Sequence, residues 1–286
     1  MSTLHAELVA AARRIAAAVP PPPVARVLVP SPEHAAPEKD GSFLAVQLEG
    51  GATGLCYVLL GDTRARLQAL DAGALVARGA LALAEGLASP DPAARALGLA
   101  ALNALTRHLL DRAGFTPDPA VDAFGSIGAA PGGRLGMIGF FPPLVRRARE
   151  QGIGLTVLEL KGELVREEPG LTVTLDPARL AGCDAVVSTS TVLLNDTLDG
   201  VLAAARGARE LVIVGPSASF VPDALFARGV TALGGTWVRD PALLAARLTA
   251  GERWGDAAGK FSLRRDGWPG LDALIARASR PSAPGR

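Results

Sequence analysis

The sequence of 286 residues contains few of the side chains that bind soft metals or form disulfides. Its 2 cysteines, Cys56 and Cys183, lie far apart and form no Cys-x-x-Cys pair. This pattern argues against a disulfide framework and predicts two buried free thiols in a reducing compartment. The 3 histidines, His5, His34 and His108, are also scattered. The sequence therefore predicts no preformed zinc site.

The chain also lacks an excess of charge and a long apolar run. Its 29 Lys and Arg residues nearly balance its 28 Asp and Glu residues, so the net charge is +1. We therefore expect neither nucleic acid nor a membrane as a partner. No stretch approaches the ~18 uninterrupted apolar residues of a membrane span, and the N-terminus lacks the apolar core of a secretion signal. The sequence predicts a soluble, cytoplasmic protein.

Recognisable catalytic motifs are missing as well. The sequence contains no Gly-x-Ser-x-Gly nucleophile elbow, and none of its histidines lies in a triad context. His34 has Glu33, Glu38 and Asp40 nearby in a predicted loop, which makes a cluster of hard metal ligands. Whether the protein is an enzyme is left open by these patterns.

The second half of the chain contains five apolar segments with the pattern of buried strands, separated by stretches long enough for helices. The first is residues 135–141, followed directly by Pro142 and Pro143 at the start of a helical pattern. The other four are residues 155–160, 184–188, 211–214 and 231–238. Alternating strands and helices predict an α/β fold with a parallel, Rossmann-like sheet.

The first half has a different order, with most strands before most helices. Helices are predicted over residues 3–18, 73–88 and 93–112, and strands over residues 24–29, 42–48 and 54–60. Asp91 and Pro92 suit the cap and first turn of the last helix. The order predicts an α+β domain at residues 1–118, and the Rossmann-like domain, with a polar C-terminal tail, at residues 119–286.

Open parallel sheets bind ligands beyond the carboxyl ends of their strands, near the point where the strand order reverses. This rule selects residues in the loops after all five strands. They include Gly139, Phe140 and Pro142 after the first strand, Glu159 after the second, Ser190, Thr191 and Asn195 after the third, Gly215, Pro216 and Ser217 after the fourth, and Gly234, Gly235 and Thr236 after the fifth.

Each of these candidates has a structural alternative. Gly136 and Gly139 form only part of a dinucleotide fingerprint, and Phe140 suits either a planar ligand or the core between the domains. Glu159 lies where the acidic residue of a Rossmann domain binds a ribose hydroxyl. The alternative is a glutamate that is solvated or ion-paired and binds no ligand. The run from Ser188 to Thr191 could bind a carboxylate or phosphate beside a helix starting near Asp196, or could simply form turns and a cap.

Several of these strings together resemble the heavy-metal chelation family, formerly a family of unknown function. In the second half the strings are residues 136–143, 157–159, 190–199 and 214–217. In the first half, residues 54–60 and 97–103 are similar to the partner module of that family. The resemblance extends over most of the chain, roughly residues 5–250.

The resemblance implies a domain like the N-terminal part of enolase joined to a Rossmann-like domain, with a site in the cleft between them. It places in that cleft Gly139, Phe140, Pro142, Glu159, Thr191, Asn195 and residues 215–217, and it adds Asn103 from the first domain. At position 196, where the family pattern leads us to expect a small residue such as glycine, this chain has Asp196. The resemblance also implies a metal ion or metal chelate as the bound group, without naming the metal.

Three functions remain in competition at this stage. The leading hypothesis is binding of a small anionic or metal-chelating molecule between the domains, for chelation or chelate handling. The alternative is a transferase-like enzyme that uses a nucleotide or S-adenosylmethionine, with Glu159 on the ribose. The third is an interaction scaffold whose cleft holds no ligand. Assembly into a homo-oligomer is left open by the sequence.

Overall fold

A computed structural model describes residues 3–30, 43–120 and 132–280. The first domain places four helices and a three-stranded antiparallel sheet of order β1-β2-β3 within these ranges. Its elements are α1 (Thr3–Ala18), β1 (Val24–Leu28), β2 (Phe43–Leu48), β3 (Thr53–Tyr57), α2 (Thr63–Gln68), α3 (Ala72–Ala84) and α4 (Pro92–Arg112). Within the described ranges no helix combines the length and the apolar character needed to cross a membrane.

Helix α4 is the central element of the first domain. It begins as the sequence predicts, because the Asp91 side chain accepts a hydrogen bond from the Ala94 amide and Pro92 occupies the first turn. Residues on all of its faces are buried from Ala93 to Leu110, which is typical of a helix enclosed by protein on every side. Strand β3 packs against it at Gly54, where no side chain separates the two backbones.

The second domain is built on a nine-stranded sheet of order β4-β12-β11-β10-β9-β5-β6-β8-β7. Six neighbouring strands, from β11 to β8, are parallel. Its elements are β4 (Asp118–Pro119), β5 (Arg134–Ile138), α5 (Pro142–Glu150), β6 (Gly154–Leu158), β7 (Arg166–Glu168), β8 (Leu171–Thr174), β9 (Ala185–Thr189), α6 (Leu198–Ala204), β10 (Glu210–Val214), α7 (Asp223–Phe226), β11 (Ala232–Val238), α8 (Pro241–Ala250), β12 (Ala258–Arg264) and α9 (Leu271–Ala278).

The parallel strands follow the Rossmann order. Taken in sequence, β5, β6, β8, β9, β10 and β11 are arranged in space as 3-2-1-4-5-6, so the order reverses between β5 and β9. The predicted α/β class, with an α+β first domain and a Rossmann-like second domain, is confirmed. The five predicted strands correspond to β5, β6, β9, β10 and β11, whereas β8 is an additional parallel strand that the sequence analysis missed.

The segment after Gly251 packs against the rest of the protein although its composition is polar. This segment forms β12 and α9, and each of its large aromatic residues makes an edge-on ring contact: Trp254 with Phe43, Phe261 with Trp237 and Trp268 with Phe115. The predicted domain division at 118/119 falls within the two-residue strand β4, which pairs with β12, and it stays a prediction.

The two domains share their hydrophobic cores. One continuous cluster contains α4 residues such as Leu99 and Leu105 together with Ile213, Phe220 and Leu274 of the second domain. The first domain lies over the carboxyl ends of β9, β10 and β11, because α1, β3 and α4 make hydrogen bonds to Leu193, Ser217 and Val238 at those ends. The carboxyl ends of the strands therefore face the neighbouring domain on one half of the sheet.

Candidate functional site

The strand order reverses between β5 and β9, and the turn that follows β5 lies against the end of β9. After β5, Gly139 adopts a left-handed conformation with φ 82°, and its amide donates a hydrogen bond to the Leu158 carbonyl at 3.0 Å. A Cβ at Gly139 would lie 3.2 Å from Cγ2 of Thr189, the last residue of β9. Glycine is therefore favoured here by both the backbone conformation and the closeness of the neighbouring strand.

Helix α5, which follows this turn, offers little to a phosphate group. Its first two residues, Pro142 and Pro143, have no amide hydrogen, and the next amide, that of Leu144, donates to the Phe141 carbonyl at 2.9 Å. Phe140 is half-buried against the core, and the Arg166 guanidinium lies 5.1 Å from its ring centroid. The structure thus favours packing of Phe140 and Phe141 over a pyrophosphate seat at this helix end.

Glu159 lies directly after β6, the position predicted for a ribose-binding acid. It is half-buried, and its Oε2 accepts a hydrogen bond from the neighbouring Leu160 amide at 3.2 Å. Its own amide donates to the Thr174 carbonyl at the end of β8. Leu160 is 74% exposed, so this part of the sheet edge is open to solvent.

The hydroxyl-rich run after β9 forms a short 3-10 helix, Ser190–Leu193, instead of continuing the strand. The Thr189 side chain caps it by accepting a hydrogen bond from the Thr191 amide, and the Thr191 hydroxyl lies 3.2 Å from the Thr189 hydroxyl. Ser190 is buried against Gly215, where a Cβ would come within 2.3 Å of the Ser190 Oγ. The structure therefore brings together the turns after β9 and β10.

Ser217 and Asn103 join the two domains. The Asn103 Nδ2 donates to the carbonyls of Leu55 at 2.8 Å and Ser217 at 2.9 Å, and its Oδ1 accepts from the Ser219 amide at 3.2 Å. The Ser217 hydroxyl accepts a hydrogen bond from the Tyr57 amide at 2.9 Å. Asn103 is 1% exposed and Ser217 is 0% exposed. Asn103 and Ser217 therefore lie together where the domains join, and their polar atoms there are hydrogen-bonded to other groups of the protein.

The turn that precedes α6 contains the one residue other than glycine with a positive φ among those described, Asp196 at φ 58°. The Asn195 Oδ1 accepts hydrogen bonds from the amide and the hydroxyl of Thr197. Helix α6 begins at Leu198, slightly later than the start predicted near Asp196. The positive φ gives a physical reason for the glycine that the family resemblance leads one to expect at this position.

A cavity of about 650 Å³ lies between the domains, beside this turn. Its walls are formed by residues of α1, of the segment from Ala88 into α4, and of the 192–199 segment. They are Leu4, His5, Ala88, Pro90, Arg95, Val192, Asp196, Leu198 and Asp199. None of the predicted site residues is among them. No periodic pattern in the sequence indicates this cavity, because its walls come from three distant segments.

The described residues do not suit direct coordination of a metal ion. They contain no group of three or more His, Cys, Asp or Glu side chains that could hold one. Burial raises the pKa of the Cys56 thiol to about 12, and burial also raises the pKa of Cys183, so both remain protonated thiols at neutral pH. The predicted cluster of His34 with Glu33, Glu38 and Asp40 lies outside the described residues.

Two histidines, the buried His5 and the half-buried His108, predict a dependence of stability on pH. Burial lowers the pKa of His5 and of His108 from the ordinary 6.5. Below pH 6.5 the unfolded chain therefore binds more protons at these histidines than the folded chain does. The stabilisation that is present above pH 6.5 is lost as the pH falls below that value. We expect the free energy of unfolding, measured with urea, to decrease from pH 7.5 to pH 5.5.

The variants His5→Gln and His108→Gln should each flatten this dependence, because glutamine does not titrate. Glu7 does not account for the change, since its hydrogen bond to Arg228 lowers a pKa that ordinarily lies at 4.5, below this window. A slope that is unchanged in the double variant would assign the effect to other groups.

Fold and site together define a two-domain α/β protein with a Rossmann-order sheet whose strand ends face a second domain. Residues 122–265 match the model of the DUF364 family and residues 41–106 match that of DUF4213, both described as "Putative heavy-metal chelation". The first match spans about half of the chain. The protein therefore belongs to the DUF364 family.

An uncharacterized protein of Methanocaldococcus jannaschii is 28% identical over 147 residues, which are 51% of this chain and 55% of that protein. The match thus spans little more than half the length of that relative.

Two crystal structures of DUF364 proteins with unknown function share the fold. The one from Pyrococcus horikoshii has a TM-score of 0.66 at 21% identity, covering 92% of this chain and 100% of that one. The one from Desulfitobacterium hafniense DCB-2 has a TM-score of 0.65 at 20% identity, covering 91% and 99%.

Proposed function

We propose that this protein binds a small anionic molecule, either free or as the chelate of a heavy-metal ion, at the carboxyl ends of β5, β9 and β10. The observation that carries the proposal is the reversal of strand order between β5 and β9, the usual ligand position in open α/β sheets. Membership of a family described as "Putative heavy-metal chelation" supports a metal as part of the cargo.

The side chains at this edge suit an anion better than a bare cation. The half-buried Thr191 offers a hydroxyl, and Gly139 and Gly215 let a ligand approach the backbone closely. The guanidinium of Arg166 lies over Phe140 at the same edge, where its Nε is also paired with Glu168 at 2.7 Å. Because the described residues contain no group of metal ligands, the metal would be held by the organic chelator, and the protein would hold the chelator.

Isothermal titration with citrate, with nickel citrate and with nickel, cobalt, copper and zinc ions separately tests this proposal. We expect citrate or its nickel complex to bind and the free ions to bind weakly. Thr191→Val removes one hydroxyl without changing the shape of the side chain and should weaken binding about tenfold. Thr172→Val is the matched control, since Thr172 is a half-buried threonine inside β8.

Equal affinities of the two variants would place the ligand elsewhere. Tight binding of free metal ions together with no response to citrate would refute the chelator part. No binding of any probe would favour a scaffold whose strand ends hold no ligand.

A nucleoside ligand, such as S-adenosylmethionine, is the second candidate. It is favoured by Glu159, which follows the second strand of the 3-2-1-4-5-6 order, where Rossmann domains hold a ribose. The two prolines that open α5 argue against a dinucleotide with its pyrophosphate. A thermal-shift screen with S-adenosylmethionine, ATP and NAD separates these ligands. A response to S-adenosylmethionine that survives in Glu159→Gln would contradict the assigned role of Glu159.

A further inference from the structure

The interdomain cavity has the size of a small-molecule site and a partly apolar lining. Its volume of about 650 Å³ lies within the range of roughly 300–1,000 Å³ that is usual for ligand pockets. An apolar wall is formed by Leu4, Ala88, Pro90, Val192 and Leu198. This wall suits the apolar part of a ligand, so the class of ligand depends on the polar groups beside it.

His5 provides a buried hydrogen-bond acceptor at this cavity. The residue is 4% exposed, and its Nε2 lies 2.8 Å from the Leu193 carbonyl. A carbonyl cannot donate, so Nε2 carries the hydrogen, and Nδ1 of the neutral ring keeps its lone pair. Nδ1 has no hydrogen-bond partner among the described residues, and protein atoms do not enclose it. Its lone pair is therefore open to the cavity that His5 lines.

Arg95 provides hydrogen-bond donors beside this acceptor. Its Nη1 donates to the Leu194 carbonyl at 2.8 Å and to the Asp196 carboxylate at 2.9 Å, and its Nε donates to the Ser89 carbonyl at 3.3 Å. Within the described part of the chain Nη2 has no partner, although the side chain is only 12% exposed and lines the cavity. The two N–H groups of Nη2 are thus available to a ligand while the pairing of Arg95 with Asp196 stays intact.

The acceptor and the donors lie side by side, because consecutive carbonyl groups hold the two side chains. The Leu193 carbonyl binds His5 of α1, and the Leu194 carbonyl binds Arg95 of α4. Buried polar groups nearly always have a hydrogen-bond partner. A buried acceptor and a neighbouring donor that open on one cavity without protein partners therefore indicate a ligand that bonds to both.

The charges around these groups favour a neutral ligand. The wall has one positive side chain, that of Arg95, and two negative ones, those of Asp196 and Asp199. The two carboxylates are exposed, and they would repel an anion placed against Arg95. The guanidinium would in turn repel a cation placed against His5. A neutral group that carries both an acceptor and a donor avoids both penalties.

From these contacts we infer that the interdomain cavity binds a neutral molecule in which an amide group is attached to an apolar body. The amide oxygen accepts a hydrogen bond from Nη2 of Arg95, and an amide N–H donates to Nδ1 of His5. The apolar body lies along Leu4, Val192 and Leu198. An amide presents an acceptor and a donor side by side, as the two protein groups require. This site is separate from the proposed anion site and does not depend on it.

Ligand-observed NMR titration with benzamide tests the inference. Three compounds with the same ring serve as comparisons: acetophenone keeps the carbonyl but has no N–H donor, benzoate is an anion and benzylamine is a cation. We expect benzamide to bind about tenfold more tightly than acetophenone, because the ketone leaves Nδ1 of His5 without a donor. Benzoate and benzylamine should both bind more weakly than benzamide.

Variants assign the binding to the cavity. His5→Gln keeps a side-chain N–H for the Leu193 carbonyl but lacks the ring nitrogen Nδ1, so the preference for benzamide over acetophenone should fall to about twofold or less. A purely structural role of His5 would weaken both compounds alike and leave their ratio unchanged. His108→Gln is the matched control, since His108 lies outside this cavity, and it should keep the full preference.

Arg95→Lys tests the donor side without relying on the His5 variant. Lysine keeps a positive charge beside Asp196 but has no Nη2, so benzamide and acetophenone, which both bind through a carbonyl, should weaken by similar factors. Circular dichroism verifies that each variant is folded.

Four results would each overturn the inference. They are no binding of benzamide, tighter binding of benzoate or benzylamine than of benzamide, a preference over acetophenone that survives in His5→Gln, and unchanged affinities in Arg95→Lys. The anion site has citrate as its probe and its own variant at Thr191. The two proposals therefore fail separately.

Discussion

Replacing Asn103 by leucine is expected to reduce the free energy of unfolding by about 3 kcal/mol or more. The change removes three hydrogen bonds and leaves the carbonyls of Leu55 and Ser217 and the amide of Ser219 without their partner in a buried place. Each buried group left unsatisfied costs about 1–3 kcal/mol, although these costs do not add fully. The variant should show this loss in urea unfolding followed by circular dichroism.

The chain offers a matched control in its other asparagine. Asn195 is half-exposed and bonds only within its own turn to Thr197, so Asn195→Ala should cost about 1 kcal/mol or less. Measuring both stability and citrate affinity also separates a structural role of Asn103 from a ligand-binding role. If Asn103→Leu unfolds at the same urea concentration as the wild type but binds citrate more weakly, Asn103 contacts the ligand. Its hydrogen bonds between the domains would then contribute little to stability.

Gly54→Val is expected to have an effect at least as large, because its new side chain would meet backbone atoms. A Cβ at Gly54 would lie 2.1 Å from the Ala100 carbonyl oxygen and 2.4 Å from the Ala104 amide nitrogen. Backbone of a buried helix cannot move aside as a flexible side chain does, so β3 and α4 must separate. Overpacking commonly costs 1–3 kcal/mol, and a clash of this severity should exceed about 3 kcal/mol or prevent folding.

Gly200→Ala is expected to have the opposite effect on the free energy of unfolding in the same urea assay. Gly200 lies in α6, and a Cβ there would meet no atom within 4 Å. Alanine is better in a helix than glycine by about 1 kcal/mol, so this variant should be slightly more stable than wild type. If Gly54→Val retains wild-type stability, the close packing of β3 on α4 does not exist as described.

Much of the fold is predictable from the sequence because its signals are local. The cap at Asp91 and the proline after it fix the start of α4, and the apolar runs at β5, β9 and β10 fix the buried strands of the parallel sheet. Strand β8 was missed for a physical reason. Its four residues alternate between buried and half-buried, too short a pattern to distinguish from a turn.

The candidate site is less predictable, since its contacts join residues far apart in the chain. The rule on strand ends correctly places Gly139, Ser190 and Gly215 near one another. It cannot show that Ser217 is covered by the first domain, because that depends on a hydrogen bond between residues 160 positions apart. The cavity beside His5 lies next to the contact between His5 and Leu193, which are 188 positions apart, so no local pattern in the sequence indicates it.

The core that α4 shares with the second domain means that the interior of the first domain is continuous with that of the second. Helix α9, at the end of the described chain, packs back on α1 and α4 and contributes Leu274 to the same cluster. We therefore expect heat or denaturant to unfold the two domains together, in a single cooperative transition.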